Sequence, residues 1–168
     1  TVTDQLLQQL GAVRLRSDVE RERLFGRAPD EQGIGTGKYS TAASDRLYAH
    51  LREQARQLLA AGYTVIVDAA FLQRARRTPF LELAGECDVP LHILALEAEP
   101  DTLRQRIRQR QAAGRDASEA DLAVLESQLQ HHDPLDPAEN RYVMRIDTEQ
   151  PLDPAALAET IRAGSTPQ

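Results

Sequence analysis

The chain has 168 residues, with 20 Lys and Arg against 26 Asp and Glu and a formal net charge of −6. This length suits one domain with a core of its own, and the acidic balance argues against a binder of duplex DNA. One cysteine, Cys87, excludes a disulfide framework. No apolar run reaches membrane-spanning length and no signal peptide is visible, so we expect a soluble protein of the reducing cytoplasm with no membrane partner.

Apolar spacing, β-branched runs and helix stop signals predict the elements in chain order. Gly11 and Gly62 are typical stops after helices, Ser40 is a typical N-cap, and a leucine-rich stripe predicts a long third helix. The predicted helices are 1–10, 18–25, 41–61, 79–87, 101–111, 118–130 and 154–163. The predicted strands are 12–16, 63–67, 91–96 and 142–146.

The alternation of strands with amphipathic helices predicts an α/β fold built on a doubly wound parallel sheet. The run at 63–67 is the kind of β-branched segment that is buried on both faces of such a sheet. We expect one domain over residues 1–163, with residues 164–168 as a loose tail.

A glycine-rich stretch, RAPDEQGIGTGK at 27–38, resembles a phosphate-binding loop. The Walker A motif, G-x-x-x-x-G-K-[ST], would need Gly at position 32 and Ser or Thr at position 39. Those positions hold Gln32 and Tyr39. The motif therefore fails, and Lys38 is not expected to act as a phosphate-loop lysine.

Charged residues follow two of the predicted strands. Asp18 and Arg21 lie one helical turn apart on the same face, just after the first strand, and Asp68 ends the second. Ligands of open α/β sheets bind outside the carboxyl ends of the strands, so these residues form a candidate site. The alternatives are an N-capping Asp18 with an ordinary surface ion pair, and an Asp68 that caps a turn.

Arginines are concentrated in a helix–loop–helix arm, at positions 104, 106, 108, 110 and 115. The first four have few acidic residues at helical pairing distance, which favours an anionic ligand over a solvated helix face. Carboxylates at strand ends and a hinged arm of guanidinium groups suit phosphoryl transfer, because that reaction needs placed charge, a base and often Mg²⁺.

Four blocks of the sequence, RLRSDVERERLFG, GIGTGKYS, VIVDAAFL and GRDASEADLAVLESQL, resemble P-loop kinase-like domains of the predicted-kinase and AAA-family ATPase type. These domains often occur fused to an aminoglycoside-phosphotransferase-like region, and they are related to polynucleotide kinase, gluconate kinase and zeta-toxin folds. The resemblance implies a three-layer parallel sheet of the P-loop NTPase, nucleoside-kinase-like type with a helical lid, here over 104–121. It also implies an ATP- and Mg²⁺-dependent kinase that phosphorylates a hydroxyl of a small molecule.

The resemblance also assigns roles around the strand ends. Asp18 matches the acid that acts as base on the acceptor hydroxyl, and Arg21 matches an arginine that positions the substrate or the base. Asp68 matches an acid that orients that arginine or the water shell of the magnesium ion, with no direct metal ligand assigned.

The remaining predicted contacts involve the nucleotide and the acceptor. The pair Arg106 and Arg110 resembles lid arginines, the first near adenine and the second on phosphates, and Arg115 resembles a further lid arginine. On the acceptor side we expect Arg16, Tyr39 and Arg74.

Kinases of this type open with a strand and a Walker A loop, which this sequence lacks, and Thr1 falls about where that loop would have ended. We expect both upstream in the intact protein, because a domain without that central strand would expose two apolar strand edges. The alternative is a non-catalytic nucleotide-sensing module of a larger fusion protein. A nucleic-acid 5′-end kinase is disfavoured by the acidic charge and the 4% aromatic content.

Overall fold

The computed structural model describes residues 2–26, 40–112 and 119–164. Its helices are α1 (Val2–Leu10), α2 (Ser17–Phe25), α3 (Thr41–Ala60), α4 (Arg74–Glu86), α5 (Pro100–Ala112), α6 (Glu119–Gln130) and α7 (Pro154–Arg162). Its strands are β1 (Val13–Arg16), β2 (Val65–Asp68), β3 (Ile93–Glu97) and β4 (Val143–Asp147), and a short 3₁₀ turn, Asn140–Tyr142, precedes β4. The glycine-rich loop, Tyr39, Arg115 and the end of the tail lie outside the described residues.

The strands form two parallel pairs. β1 pairs with β2 so that Arg16 stands opposite Asp68, and β3 pairs with β4 so that Glu97 stands opposite Asp147. Parallel pairing through helical connections confirms the predicted α/β class. The described strands do not form one continuous sheet, because no hydrogen-bonded strand joins β2 to β3 within these ranges. A further strand between the pairs, which the resemblance implies, stays a prediction.

The leucine stripe of α3 forms the centre of the core, as predicted. Leu47 and Leu51 are fully buried, and they cluster with Leu15 of β1 and Leu83 of α4. Ser40 caps this helix, since its Oγ accepts a hydrogen bond from the backbone N–H of Ala43 at 3.2 Å. The core therefore holds β1, α3 and α4 together.

Three predicted element starts were wrong by two or more residues, and one of them is that of β3, which begins at Ile93 and not at position 91. Helix α4 begins at Arg74, not at Pro79, which lies inside the helix. The backbone N–H of Arg74 donates to Oδ2 of Asp133 at 2.8 Å, so a distant residue stabilises a helix start that no local pattern indicates. Strand β2 begins at Val65, and its residues are only half-buried, while Tyr63 is 53% exposed.

A buried ion pair joins the two halves of the molecule. Arg77 of α4 donates from Nε to Oε1 of Glu139 at 2.6 Å and from Nη2 to Oε2 at 2.9 Å, and both side chains are at most 5% exposed. This hydrogen bonding raises the pKa of Arg77 and lowers the pKa of Glu139. We call this pair the clamp.

The remaining N–H groups of Arg77 bind backbone carbonyls on both sides of the clamp. They reach the carbonyl oxygens of Phe71 and Leu72, which follow β2, and those of Asp133 and Pro134, which follow α6. The two segments also bond directly, because the N–H of Asp133 donates to the oxygen of Leu72 at 2.8 Å. The clamp thus fixes the loop after β2 to the connection that leads into β4.

A second junction lies between the first and last helices. α1 packs against α7, and Arg162 of α7 donates to the backbone oxygen of Gln9. Asp153 caps α7 by accepting from the N–H groups of Ala155 and Ala156 at 2.9 and 3.1 Å. None of the described helices is long and apolar enough to cross a membrane.

Replacing Arg77 by Met should lower the free energy of unfolding by about 3–5 kcal/mol, because Glu139 would remain buried without its partner. Urea unfolding followed by circular dichroism measures this loss. The double change Arg77→Met/Glu139→Leu should be less destabilising than Arg77→Met alone.

Because the pKa of folded Glu139 is depressed, the stability that the pair contributes is present at neutral pH and is lost as the pH falls through that pKa.

The matched control is Arg56→Gln, which removes an exposed Arg–Glu pair on α3 and should change stability by about 0.5 kcal/mol or less. Equal urea midpoints for Arg77→Met and Arg56→Gln would contradict the assigned role of the clamp.

Candidate functional site

The carboxyl ends of β1 and β2 bring charged residues to one edge. Arg16 is the last residue of β1 and Asp68 the last of β2, and the two stand opposite each other in the pair. Helix α2 starts immediately at Ser17, so Asp18 lies two residues from the same edge. This is the edge where open α/β proteins bind ligands. We call Arg14, Arg16, Asp18 and Asp68 the strand-end cluster.

Asp18 is held as a carboxylate by its neighbours. Arg16 donates from Nε to Oδ1 at 3.1 Å and from Nη2 to Oδ2, and the N–H of Val19 donates to Oδ1 at 2.9 Å. Burial alone would raise the pKa of Asp18, but these hydrogen bonds and the charge of Arg16 outweigh burial and lower the pKa below its usual value. The alternative for Asp18 was an N-cap with a surface ion pair; the ion pair is present, whereas the N-cap position of α2 belongs to Arg16.

Arg14 is the member of the cluster that the sequence analysis missed. Its Nε donates to Oδ2 of Asp68 at 2.9 Å and its Nη2 donates to the same oxygen, while its Nη1 donates to Oδ1 of Asp4 at 2.6 Å. An arginine in the middle of a short strand is itself a signal, because such a side chain is buried only with a charged partner. Asp68 therefore receives two guanidinium hydrogen bonds from Arg14, and its expected role, which is to orient Arg21 or the water shell of a magnesium ion, stays a prediction.

Arg21 and Arg76 both act electrostatically on Tyr48 of α3. Burial raises the pKa of the Tyr48 hydroxyl, and the charges of Arg76 and Arg21 oppose that rise. The Tyr48 hydroxyl donates to the backbone oxygen of Ala70 at 2.8 Å, and Arg76 lies 5.0 Å from the Tyr48 ring. Tyr48 and Arg76 therefore lie beside the loop that follows Asp68, although no sequence pattern pointed to Tyr48.

Of the predicted acceptor contacts, Arg16 belongs to the strand-end cluster, whereas Tyr39 lies outside the described residues. Arg74 sits at the start of α4, where its Nε contacts Asp136 at 2.9 Å. Its side chain is 63% exposed. An acceptor role for Arg16, Tyr39 and Arg74 stays a prediction.

The arm consists of α5 and α6, which pack against each other. Arg104 donates from Nε to Oε1 of Glu126 on α6 at 2.7 Å and from Nη1 to Oδ1 of Asp101 at 2.8 Å. The expectation that the arginines of this helix lack acidic partners was therefore wrong for Arg104. Its main partner comes from the neighbouring helix, which pairing distances along one helix do not reveal.

Arg106 lies at the carboxyl ends of the second strand pair. Its Nη1 donates to Oγ1 of Thr148 and its Nη2 to the backbone oxygen of Thr148, both at 2.8 Å. Thr148 follows β4, and its N–H donates to the oxygen of Glu97 at the end of β3, also at 2.8 Å. The side chain of Arg110 and all of Arg115 lie outside the described residues.

Within residues 2–26, 40–112 and 119–164, no three His, Cys, Asp or Glu side chains form a metal-binding group. Magnesium in phosphoryl-transfer sites is often held by one or two carboxylates together with waters and substrate phosphates. Asp68 fits that indirect role, because in the described part of the chain nothing donates to its second oxygen, Oδ1, and its side chain is 37% exposed.

Parallel strand pairs joined by helices, with carboxylates at the strand ends and arginine-bearing helices beside them, define an α/β domain with its candidate site at the carboxyl ends of the strands. The particular family follows from the sequence match. Residues 1–135 match the AAA domain family, so the chain belongs to that family. No curated protein matches the chain.

Solved structures share the fold at low sequence identity. A Chloroflexus aurantiacus protein provisionally assigned as a kinase has 22% identity over 97% of this chain and 89% of its own, with a TM-score of 0.67. A Sinorhizobium meliloti gluconokinase has 18% identity over 97% and 82%, with a TM-score of 0.62. A Janibacter sugar kinase has 19% identity over 99% and 90%, with a TM-score of 0.63. These similarities confirm the predicted P-loop kinase fold.

Replacing Arg16 by Gln should raise the pKa of Asp18, because burial would then act without the hydrogen bonds and charge of Arg16, and only backbone hydrogen bonds such as that of Val19 would still oppose it. A titration of the side-chain carboxyl carbon of Asp18 by ¹³C NMR measures the change. Arg56→Gln, far from the cluster, is the control and should leave the Asp18 titration where it is in the wild type. If Asp18 titrates in Arg16→Gln as it does in the wild type, Arg16 does not stabilise the charged form of Asp18.

Proposed function

We propose that this chain is the catalytic domain of an ATP-dependent phosphotransferase that moves the γ-phosphate of ATP to a hydroxyl of a small molecule. The observation that carries the proposal is Asp18, an ionised carboxylate at the carboxyl end of β1, beside Asp68 at the end of β2. Membership of the AAA domain family and the kinase fold support it.

In this proposal the β1–β2 edge binds the acceptor. Asp18 accepts a hydrogen bond from the attacking hydroxyl and then its proton. Its low pKa suits an orienting carboxylate, because in a loose phosphoryl-transfer transition state the hydroxyl proton leaves late. Arg21 positions the acceptor from the next turn of α2. Arg16, which holds Asp18, limits the directions from which the hydroxyl can approach.

The β3–β4 edge binds the nucleotide in this proposal. Arg106 is already fixed to Thr148 at that edge, and Arg110 and Arg115 of the arm close over the phosphates and exclude water. When bound, Mg²⁺ would neutralise phosphate charge, and Asp68 is the residue we propose to hold its water shell. The two strand pairs would thus bring acceptor and nucleotide to the same side of the molecule.

The acceptor belongs to the class of alcohols. The names of two structural neighbours, a gluconokinase and a sugar kinase, make sugars and sugar acids the first compounds to assay. A cytoplasmic location, a fused or associated phosphotransferase-like region and the absence of a nucleic-acid partner stay predictions.

The proposal is tested by incubating the full-length protein with ATP and Mg²⁺ against a panel of sugars, sugar acids and aminoglycosides. Mass spectrometry should find one compound whose mass has increased by one phosphoryl group, with ADP formed in equal amount. Tight ATP binding without any phosphorylated product would instead favour the non-catalytic nucleotide-sensing module.

Replacing Asp18 by Asn should lower kcat for phosphoryl transfer by about 10²–10⁴-fold, since the base is lost while the shape is kept. Calorimetry should find ATP affinity nearly unchanged, because Asp18 lies on the acceptor side. The matched control is Asp88→Asn. Asp88 follows α4 on the turn that leads to the amino end of β3, and its positive φ of 51° suits Asn. A kcat in Asp18→Asn equal to that of Asp88→Asn would exclude Asp18 as the base.

Replacing Arg106 by Gln should raise KM for ATP by about tenfold, because one charge-assisted anchor of the nucleotide edge is lost. The effect on KM for the acceptor should be small. Arg108→Gln, on the same helix and exposed, is the matched control. Steady-state kinetics at varied ATP compare the two variants, and equal KM values would remove Arg106 from the nucleotide site.

A further inference from the structure

Arg14 joins three elements through one guanidinium group. It belongs to β1, it contacts Asp68 at the end of β2 through two nitrogens, and it contacts Asp4 in the first turn of α1 through the third. Only 13% of its side chain is exposed, against 57% for Asp4 and 37% for Asp68. The cation is therefore the most enclosed member of the group, and the two carboxylates bind different nitrogens of it.

The strand geometry explains this position. Successive side chains of a strand point to opposite faces, and Leu15 points into the core beneath α3. Arg14 and Arg16 therefore share the other face of β1, where Arg16 holds Asp18. One face of a four-residue strand thus supplies the hydrogen-bond partner of both carboxylates at the strand ends.

The hydrogen bonds of Arg14 restrict the Asp68 carboxylate. Both go to Oδ2, and two bonds from a planar group to one oxygen fix that oxygen in place. In the described part of the chain, the remaining oxygen, Oδ1, receives no hydrogen bond, so it is the one that can face a ligand. Without Arg14, rotation about the side-chain bonds of Asp68 would exchange the two oxygens and change their direction.

We propose that Arg14 is a positioning residue for phosphoryl transfer, which aims Oδ1 of Asp68 at the reaction site while Asp4 holds the guanidinium from the side of α1. This inference rests on the proposed function. It adds Arg14, which lies outside the predicted site. It also predicts that α1 affects the Asp68 carboxylate, because Asp4 of α1 binds the Arg14 guanidinium. Arg14 acts only through Asp68, so its effect should disappear when Asp68 no longer has a charge.

The first measurement does not require the protein to phosphorylate an acceptor. The carboxyl ¹³C resonance of Asp68, assigned from its loss in Asp68→Asn, should shift in Arg14→Gln and shift less in Asp4→Asn of the full-length protein. Arg56→Gln is the matched control, because it removes another guanidinium that makes two bonds to a carboxylate, at 2.8 and 2.6 Å, on an exposed face of α3. An Asp68 resonance that is unmoved in Arg14→Gln would overturn the inference.

The second measurement is a double-mutant cycle in kcat, with the acceptor identified by the panel assay. Arg14→Gln should lower kcat by about 10–100-fold, as losses of outer-shell partners do, with a smaller change in KM for ATP. In an Asp68→Asn background the same change should have almost no further effect. Arg14→Lys should recover part of kcat, because an ammonium keeps the charge but not the planar fork.

Each outcome of the cycle has a distinct meaning. If the effects of Arg14→Gln and Asp68→Asn on kcat multiply, Arg14 acts on stability and not through Asp68, and the inference is wrong. If wild type and Arg14→Gln transfer phosphate equally fast, the inference is wrong while the proposed function stands. If the wild type transfers no phosphate to any acceptor, the proposed function fails and this inference fails with it.

Discussion

The arrangement of the two strand pairs depends on the clamp between Arg77 and Glu139. Each pair has its own helices, and within the described residues no strand hydrogen bonds connect the pairs. A guanidinium that binds a buried carboxylate and the carbonyl oxygens of two loops therefore carries much of the connection. The buried charge of Arg77 is stable only because each of its hydrogen bonds is made. Small displacements of either loop would break some of these hydrogen bonds and destabilise the fold.

This constraint has a functional consequence, because the loop after β2 directly follows Asp68, the last residue of that strand. The clamp fixes that loop from its far end through the oxygens of Phe71 and Leu72, whereas Arg14 holds Asp68 just before the loop. The other segment in the clamp follows α6 of the arm. The edge at which we propose that the acceptor binds and the arm that we propose closes over nucleotide are thus attached to the same buried pair.

The sequence predicted the elements and the acidic residues at their ends, but not the contacts between them. Periodicity identified α3, and the end of a β-branched run placed Asp68 at a sheet edge, because both signals are local. The Arg14–Asp68 pair, the clamp and the Arg104–Glu126 pair each join residues at least 22 positions apart. Composition and residue spacing along the chain do not reveal such distant pairs. The late predicted start of α4 has the same cause, since Asp133 stabilises its first turn from 59 positions away.

If nucleotide and acceptor meet at the carboxyl ends of the strands, amide NMR of the full-length protein during titration with ATP and Mg²⁺ should locate them there. We expect the largest shifts on residues following β1, β2 and β4, such as Ser17, Ala69 and Thr148. Shifts confined to the amino ends of the strands, or to the cavity of about 330 Å³ between β4 and α7 lined by Met144 and Leu157, would contradict it. An unchanged spectrum at saturating ATP would also contradict it.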